Sequence, residues 1–308
     1  MEISNEFKQA IRAAMLKAKE NFGGTETQFA KSLNINNSVY SRIKGGAVEG
    51  MLSDGQWITL GRKFQVNTTK SKWKYVETEI YRQLEDNFHF CQRTQTSMIL
   101  VDDCGIGKTE CAKIIVSKMK NAFFIDCSQS HTKIRLIKQI AQTLGCDTTG
   151  KYYEILENVK YCINLLETPF FCIDEAGDPE YNAYLELKGI MNATKGNASW
   201  YMMGADGLKN KINRGISNQK VGFAELLSRF SDDYVTLVPA GKDDKQKFYL
   251  RLFEDVASAN LIDKTQSASI AKQCLTKLNE NGKVKSLRYL ETLVKVANED
   301  HISPAGTL

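Results

Sequence analysis

The chain has 308 residues, of which 42% are hydrophobic and 25% are charged, and its formal net charge is +5. This length and composition are typical of a globular protein with two or three domains and a sizeable buried core. No apolar run approaches the roughly 20 residues that a membrane-spanning helix needs, so no membrane partner is expected. The polar, acidic start Met1–Glu6 does not resemble a signal peptide, and we expect a cytoplasmic protein.

The eight cysteines are scattered along the chain without a Cys-x-x-Cys pair. Several of them, such as Cys127 and Cys172, lie in apolar runs that resemble strands. Free, buried thiols in a reducing cytoplasm are therefore the simplest interpretation, and neither a disulfide framework nor a zinc site is expected.

The excess positive charge lies in the N-terminal quarter. Residues 1–75 hold twelve Lys and Arg against six Asp and Glu, which leaves 29 of the 41 basic and 30 of the 36 acidic residues for the rest. A basic segment can be a solvated surface or can bind nucleic acid, and charge alone does not separate these interpretations.

The N-terminal segment is patterned as helices. Apolar residues between Phe7 and Phe22 recur at intervals of three and four, which predicts an amphipathic helix. Two short helices, 25–33 and 38–45, follow around a brief turn, and this is the plan of a helix-turn-helix unit. The segment resembles phage-repressor-like helix-turn-helix domains, including the helix predicted at Trp57–Phe64.

The second short helix is the predicted DNA-contacting element of this unit. It would present polar side chains to double-stranded DNA while Val39 and Ile43 pack inward. The residues predicted to face DNA are Asn36, Asn37, Ser38, Tyr40, Ser41, Arg42 and Lys44. Whether they read bases or only contact phosphates stays open, as does a helical interaction domain without DNA contact.

The central part of the chain alternates between short apolar runs and amphipathic stretches, which indicates an α/β fold with a parallel sheet. The predicted strands are Ser97–Val101, Ala122–Asp126, Pro169–Asp174, Ser199–Gly204 and Tyr234–Val238. After Pro239 the pattern becomes helical again. The predicted organisation is a helix-turn-helix domain (1–66), a linker (67–75), an α/β core (76–240) and a small helical domain (241–308).

A phosphate-binding loop is predicted between the first strand and the helix that follows it. Glycines let the backbone N–H groups turn toward phosphate oxygens, beside a helix N-terminus that favours anions. The predicted nucleotide-binding residues are Cys104, Gly105, Ile106, Gly107, Lys108, Thr109 and Glu110. Lys108 would reach the β- and γ-phosphates of ATP, and the Thr109 hydroxyl would ligate Mg²⁺.

The loop departs from the full motif, because Asp102 stands where the pattern has its first glycine. Asp102 and Asp103 place two carboxylates near a polyphosphate site. We therefore expect at least one of them to face away from the phosphates or to contact another group.

A second acidic motif supports nucleotide binding. The apolar run before Asp174 predicts a buried strand that ends in two carboxylates. At a strand end, Asp174 would hold Mg²⁺ and Glu175 would polarise the attacking water. In isolation, a strand followed by an acidic turn is common, but the spacing after Lys108 favours the functional interpretation.

The order of these motifs, followed by Ser228-Arg229-Phe230 and Leu287-Arg288-Tyr289-Leu290, resembles the AAA+ ATPases. The resemblance implies that Arg229 reaches the γ-phosphate held by a neighbouring subunit, and that Arg288 senses the γ-phosphate within its own subunit. The polar sensor of the fourth strand is less clear, because only Asp206 is available at that strand end.

The order of the domains and the passage Trp73–Thr78 resemble the phage Mu B transposition protein family. This resemblance implies an ATPase that forms a homo-oligomeric helical filament on target DNA and recruits or stimulates a transposase. It also implies DNA contacts from basic residues of the ATPase core. The core candidates are Lys133, Arg135, Lys209, Lys211 and Arg214.

Three other functions remain open on the sequence alone. The AAA+ core also suits a helicase loader or replication protein, although replication initiators usually carry the DNA-binding module at the other end. An ATP-dependent transcription regulator is possible, but no polymerase-contacting loop is evident. A non-enzymatic DNA-binding protein would require an inactive ATPase site.

Overall fold

The computed structural model of the chain describes residues 3–64, 66, 73–276 and 285–302. Its N-terminal helices are α1 (Asn5–Asn21), α2 (Glu26–Ser32), α3 (Asn37–Lys44) and α4 (Asp54–Lys63). The central elements are α5 (Glu79–Thr94), β1 (Met98–Val101), α6 (Lys108–Lys118), β2 (Ala122–Asp126), α7 (Lys133–Leu144), α8 (Tyr152–Leu165), β3 (Phe170–Asp174), α9 (Tyr181–Ala193), β4 (Ser199–Gly204), α10 (Asp206–Ser217), α11 (Phe223–Ser228) and β5 (Tyr234–Val235). The C-terminal helices are α12 (Lys242–Asn260), α13 (Ser267–Thr276) and α14 (Leu287–Ile302). Short 3-10 turns at Cys127–Gln129 and Lys264–Gln266 complete the described elements.

The N-terminal helices enclose a small apolar core of their own. Met15, Tyr40 and Trp57 are fully buried there. The turn between α2 and α3 contains Asn34 at a φ of 58°, a left-handed conformation that asparagine tolerates better than most residues. Asn36 then caps α3 by accepting a hydrogen bond from the Ser38 N–H at 3.0 Å.

The strands form one parallel sheet in the order β2-β3-β4-β1-β5. Successive strand residues face opposite sides, so that Ile99 and Phe171 join one apolar layer and Leu100 and Phe170 join the other. Helices cover both layers, which explains why the strand sequences are apolar without alternation. The predicted α/β architecture with a parallel sheet is confirmed.

The last predicted strand is shorter than expected. It was expected to continue to Val238, but β5 ends at Val235. The backbone N–H groups of Leu237 and Val238 instead donate to the Asp102 carboxylate at 2.5 and 2.9 Å. A side chain of the phosphate loop therefore replaces the sheet as the hydrogen-bond acceptor.

The helical segments at both ends pack onto the α/β core. On the N-terminal side, Phe22 makes an edge contact with Phe123, and the Asn121 N–H donates to the Asn21 carbonyl at 2.9 Å. On the C-terminal side, Phe253 of α12 belongs to the same apolar cluster as Phe88 of α5. Within the described residues, no helix has the length and apolar character required to cross a membrane.

The predicted linker is only partly described. Residues 67–72 lie outside the described residues, as do 277–284 and 303–308 of the predicted C-terminal domain. At the end of the predicted linker, Lys74 exchanges two backbone hydrogen bonds with the Asn260 side chain of α12, at 2.5 and 3.0 Å. This part of the predicted linker is thus attached to the C-terminal helices.

Candidate nucleotide site and DNA-facing surfaces

The predicted catalytic motifs meet at one edge of the sheet. Strands β1, β4 and β3 are neighbours and run parallel, so their carboxyl ends lie side by side. The phosphate loop leaves β1, Asp174 ends β3, and Glu175 follows it. Ligands in open α/β sheets bind at this edge, and the observed strand order explains why distant motifs come together.

The phosphate loop has the backbone that its glycines predict. Gly105 and Gly107 have φ values of 72° and 98°, in the left-handed region, and α6 begins directly afterwards. A Cβ on Gly105 would lie 2.5 Å from the Cβ of Ser286, so larger residues are excluded by space as well as by conformation. The loop thus presents a helix N-terminus to an anion.

Lys108 is buried at the base of this loop, with 9% of its surface exposed. Its Nζ donates to the backbone carbonyls of Asp102 at 2.9 Å and of Asp103 at 2.6 Å. Burial lowers the pKa of Lys108, although the charge of Asp102 acts in the opposite direction. Within the described residues, this buried ammonium donates its hydrogen bonds to neutral carbonyls, and it is well suited to exchange them for phosphate oxygens.

Thr109 and Asp174 form the predicted metal-ligating pair. Asp174 is 4% exposed, and Thr109 lies near its carboxylate. Burial raises the pKa of Asp174, while hydrogen bonds from Thr109 and the Glu175 N–H lower it. The described residues contain no group of three or more His, Cys, Asp and Glu side chains placed around a metal. A hydroxyl, one carboxylate and oxygens from phosphate and water are nevertheless a donor set that fits Mg²⁺.

Glu175 lies at a strained position beside an open cleft. Its φ of 48° is unusual for a residue other than glycine, and such strain is concentrated at functional sites. Partial desolvation at the edge of the cleft, followed by the charges of Asp174 and Asp178, raises the pKa of Glu175. The side chain is exposed and lines a cleft of about 600 Å³ between the loop after β3 and helices α10 and α11. An exposed carboxylate with a raised pKa is suited to accept a proton from water.

The acidic pair in the loop has partners outside the phosphate site. Asp102 accepts hydrogen bonds from backbone N–H groups of the segment after β5. Asp103 accepts a hydrogen bond from the Tyr249 hydroxyl at 2.7 Å and forms an ion pair with Lys245 at 2.8 Å. The expectation that at least one carboxylate contacts another group is confirmed. The sequence analysis did not predict Lys245 and Tyr249 as partners of Asp103. They lie one turn apart on a helix, and no sequence motif marks such a pair.

The remaining residues predicted at the nucleotide site lie in the phosphate loop or on the helices α6 and α10. Cys104 and Glu110 are exposed and the Ile106 side chain is buried, so the backbone of Ile106 is the part that faces the loop. Glu110 pairs with Lys113 on α6 at 3.3 Å. Asp206 is the first residue of α10.

The two predicted arginines lie on different elements. Arg229 follows α11, and its Nε is buried without a hydrogen-bond partner in the described part of the chain. Arg288 is exposed at the start of α14. The residue before it, Leu287, donates its N–H to the Gly105 carbonyl at 2.9 Å, so α14 begins against the phosphate loop.

Helix α3 exposes all but one of the residues predicted to face DNA. Asn36, Asn37, Ser38, Ser41, Arg42 and Lys44 are exposed. Lys44 forms an ion pair with Glu26 and would have to exchange this partner for a phosphate. Tyr40 is fully buried and packs against Phe29 at 5.6 Å between ring centroids, so the prediction that it contacts DNA is wrong. Its ring completes the core of the short helix pair instead.

The basic residues of the core that were predicted to contact DNA differ in exposure and in their contacts with other residues. Lys133 pairs with Glu186 at 3.7 Å, and the Nζ of Lys211 donates to the carbonyls of Gly177 and Pro179. Both lysines therefore hold parts of the core together. Arg135, Lys209 and Arg214 are exposed, and so is Lys220, which the sequence did not single out. Arg214 and Lys220 line the cleft beside Glu175.

Comparison with known proteins bears on the fold. No family model matches the chain, and no curated protein matches it. Among solved structures, the chain is similar to the Aeropyrum pernix ORC1 protein in complex with DNA, with 13% identity and a TM-score of 0.50 over 76% of this chain and 63% of that chain. The chain therefore shares its fold with that protein.

A second solved structure, the Aeropyrum pernix ORC2 protein in ADPNP and ADP complexes, is less similar. It matches with 11% identity and a TM-score of 0.42, over 76% of this chain and 71% of that chain. The chain thus spans less than two thirds of the ORC1 chain, and at these identities the likeness describes architecture alone.

Proposed function

We propose that this chain is an ATP-hydrolysing, DNA-binding AAA+ protein that regulates transposition by assembling on target DNA and recruiting or stimulating a transposase. The observation that carries the ATPase part is the meeting of Lys108, Thr109, Asp174 and Glu175 at one sheet edge. A buried lysine, a hydroxyl near a buried carboxylate and an exposed carboxylate of raised pKa are the parts that phosphoryl transfer to water requires.

The geometry supports a division of labour among these residues. Phosphates would lie against the N-terminus of α6, and Lys108 would move its hydrogen bonds from loop carbonyls to β- and γ-phosphate oxygens. Thr109 and Asp174 would hold Mg²⁺, which neutralises phosphate charge when bound. Glu175 would orient a water molecule and take its proton.

A neighbouring subunit would complete the site. The buried Nε of Arg229 has no partner among the described residues, and leaving such a donor unpaired is costly. If the side chain turned outward, a phosphate held by an adjacent copy of the chain would supply an acceptor. We therefore propose an ATP-dependent homo-oligomer in which Arg229 acts on the nucleotide of its neighbour.

DNA binding is proposed from two surfaces. The exposed face of α3 offers Arg42, Lys44 and uncharged polar side chains to phosphates and base edges. The core adds Arg135, Arg214 and Lys220. The likeness of the fold to a protein whose structure was solved in complex with DNA supports this assignment and is also compatible with a replication protein, the second candidate function.

Electron microscopy of the chain with DNA and a slowly hydrolysed ATP analogue tests the proposal. A helix of protein wrapped around DNA is expected, and it should be absent from the Lys108→Ala variant. A closed ring would favour the replication protein, and no ATP-dependent assembly would contradict both. Stimulation of a transposase by wild-type filaments, but not by Lys108→Ala protein, would then test the transposition role.

A further inference from the structure

Asp102 joins the phosphate loop to the segment that follows β5. The carboxylate is 9% exposed and accepts three backbone N–H groups, from Asp103 at 2.7 Å, Leu237 at 2.5 Å and Val238 at 2.9 Å. Leu237 and Val238 are buried, so their N–H groups need an acceptor. Hydrogen bonds to an ionised carboxylate are stronger than neutral ones, and this contact therefore fixes the segment firmly.

Asp103 joins the same loop to α12. Its Oδ2 accepts both the Lys245 ammonium and the Tyr249 hydroxyl, which lie one helical turn apart on one face of the helix. The Nζ of Lys245 also lies 5.8 Å from the centroid of the Tyr249 ring, so the three groups form one cluster.

Lys108 connects these contacts to the phosphate site. The ammonium that would bind phosphate donates to the backbone carbonyls of the same two aspartates. At the other end of the loop, Gly105 accepts the N–H of Leu287, which precedes Arg288. The loop is therefore bonded to the post-β5 segment, to α12 and to α14.

We propose that Asp102 and Asp103 are positioning residues for ATP hydrolysis, which hold the post-β5 segment and the C-terminal helices in register with the phosphate loop. This inference rests on the proposed ATPase function. The backbone cradle and Lys108 would still bind phosphate without these contacts, whereas the post-β5 segment, α12 and the helix α14, which packs on α12 and carries Arg288, would be misplaced. The acidic pair should thus control turnover more than nucleotide affinity, since small misplacements cost rate steeply.

The sharpest test leaves the loop sequence unchanged. Lys245→Met and Tyr249→Phe each remove one partner of Asp103 from α12. Lys247→Met is the matched control, because Lys247 lies on the same helix and its pair with Asp244 at 4.0 Å is highly exposed. We expect both test variants to lower the kcat of ATP hydrolysis about tenfold. ATP affinity by equilibrium titration should stay within about twofold, and the control should match wild-type protein.

A double-mutant cycle and hydrogen exchange separate positioning from general destabilisation. Asp103→Asn combined with Lys245→Met should lower kcat no more than the worse single variant, because both break one contact. Without nucleotide, Lys245→Met should speed amide exchange in α12 but not in α7. Additive losses of kcat, or equal losses in kcat and affinity, would overturn the positioning role.

The outcomes for this inference and for the proposed function are distinct. A wild-type protein that binds no ATP contradicts the proposed function itself. A wild-type protein that hydrolyses ATP, with Lys245→Met and Tyr249→Phe hydrolysing it at the same rate, contradicts only the inference. Faster exchange in α12 with unchanged kcat would show that the contact is structural and would also overturn it.

Discussion

The phosphate-loop edge and the exposed face of α3 are built in opposite ways. At the loop edge, Lys108, Asp102 and Asp174 are buried, and Lys108 and Asp102 are hydrogen-bonded to neighbouring groups. On α3, Arg42 is exposed and Lys44 shares an exposed ion pair with Glu26. Both regions carry charge where we propose a phosphate-bearing ligand, but the charged groups of the loop edge are buried and those of α3 are exposed to water.

This difference in burial predicts in which region a single substitution should have a large effect. Buried charges interact strongly and are costly to leave unpaired, so each residue at the loop edge is expected to be indispensable. Exposed cations are screened by salt and contribute modest, similar amounts. A single substitution at the loop edge should therefore remove most of the nucleotide binding or hydrolysis, whereas a single substitution on α3 should lower DNA affinity only modestly.

The largest effect is expected from Lys108→Ala. The substitution removes the ammonium that would bind the β- and γ-phosphates, and ATP affinity should fall by about 100-fold or more. Isothermal titration with an ATP analogue measures this. Lys113→Ala is the control, since Lys113 lies on the same helix in a pair with Glu110. Retained nucleotide binding by Lys108→Ala protein would contradict the assignment of the loop.

Glu175→Gln should abolish turnover while nucleotide binding survives. The amide keeps the shape of the side chain but cannot take a proton, and kcat should fall by about 100-fold or more. In wild-type protein, partial desolvation and the charge of Asp174 raise the pKa of Glu175. Turnover should therefore decline on the acid side at a pH above the ordinary value of about 4.3 for glutamate, because the protonated base is inactive. A pH profile of kcat checks this, and unchanged hydrolysis by the variant would exclude Glu175 as the base.

Arg229→Ala should affect only assembled protein. The loss of one charge-assisted hydrogen bond to a neighbour's phosphate should lower DNA- and oligomer-stimulated hydrolysis by about tenfold or more, without changing ATP affinity. Hydrolysis measured across a range of protein concentrations tests this. If dilute, monomeric protein hydrolyses ATP equally well with and without Arg229, and assembly adds nothing, the role in a neighbouring site is wrong.

The sequence predicts the loop edge well for a physical reason. A phosphate cradle needs glycine at fixed backbone positions and one lysine after them, so Gly105, Gly107 and Lys108 are recognisable without a structure. The four longer strands were placed within one residue at each end, because strands buried on both faces are continuously apolar.

The partners of the acidic pair could not be predicted in this way. Lys245 and Tyr249 lie more than 140 residues after Asp103, and only the packing of α12 on the core brings them together. On α3, helical periodicity leaves the inward face ambiguous by one residue. Tyr40 was therefore assigned to the DNA-facing side, although its ring fills the core and Val39 is only partly buried.

Arg42→Ala should weaken DNA binding modestly. One phosphate contact fewer should reduce the slope of log affinity against log salt concentration by about one, with a loss of a few-fold in affinity. Fluorescence anisotropy with duplex DNA at several salt concentrations measures both. Arg62→Ala, on α4, is a control within the same helical bundle. An unchanged salt slope for Arg42→Ala would remove α3 from the DNA interface.

The smallest effect is expected from Tyr40→Phe, because Tyr40 is a buried residue on the helix whose exposed face is proposed to bind DNA. The Tyr40 hydroxyl is buried without a hydrogen-bond partner in the described part of the chain, so removing it discards an unpaired polar group. The free energy of unfolding should stay equal or rise by about 1 kcal/mol, as measured by urea denaturation. DNA affinity should not change, since the ring lies inside the helical core and the exposed residues of α3 are untouched. A clear loss of DNA affinity, with folding intact, would instead mean that Tyr40 leaves the core to meet DNA.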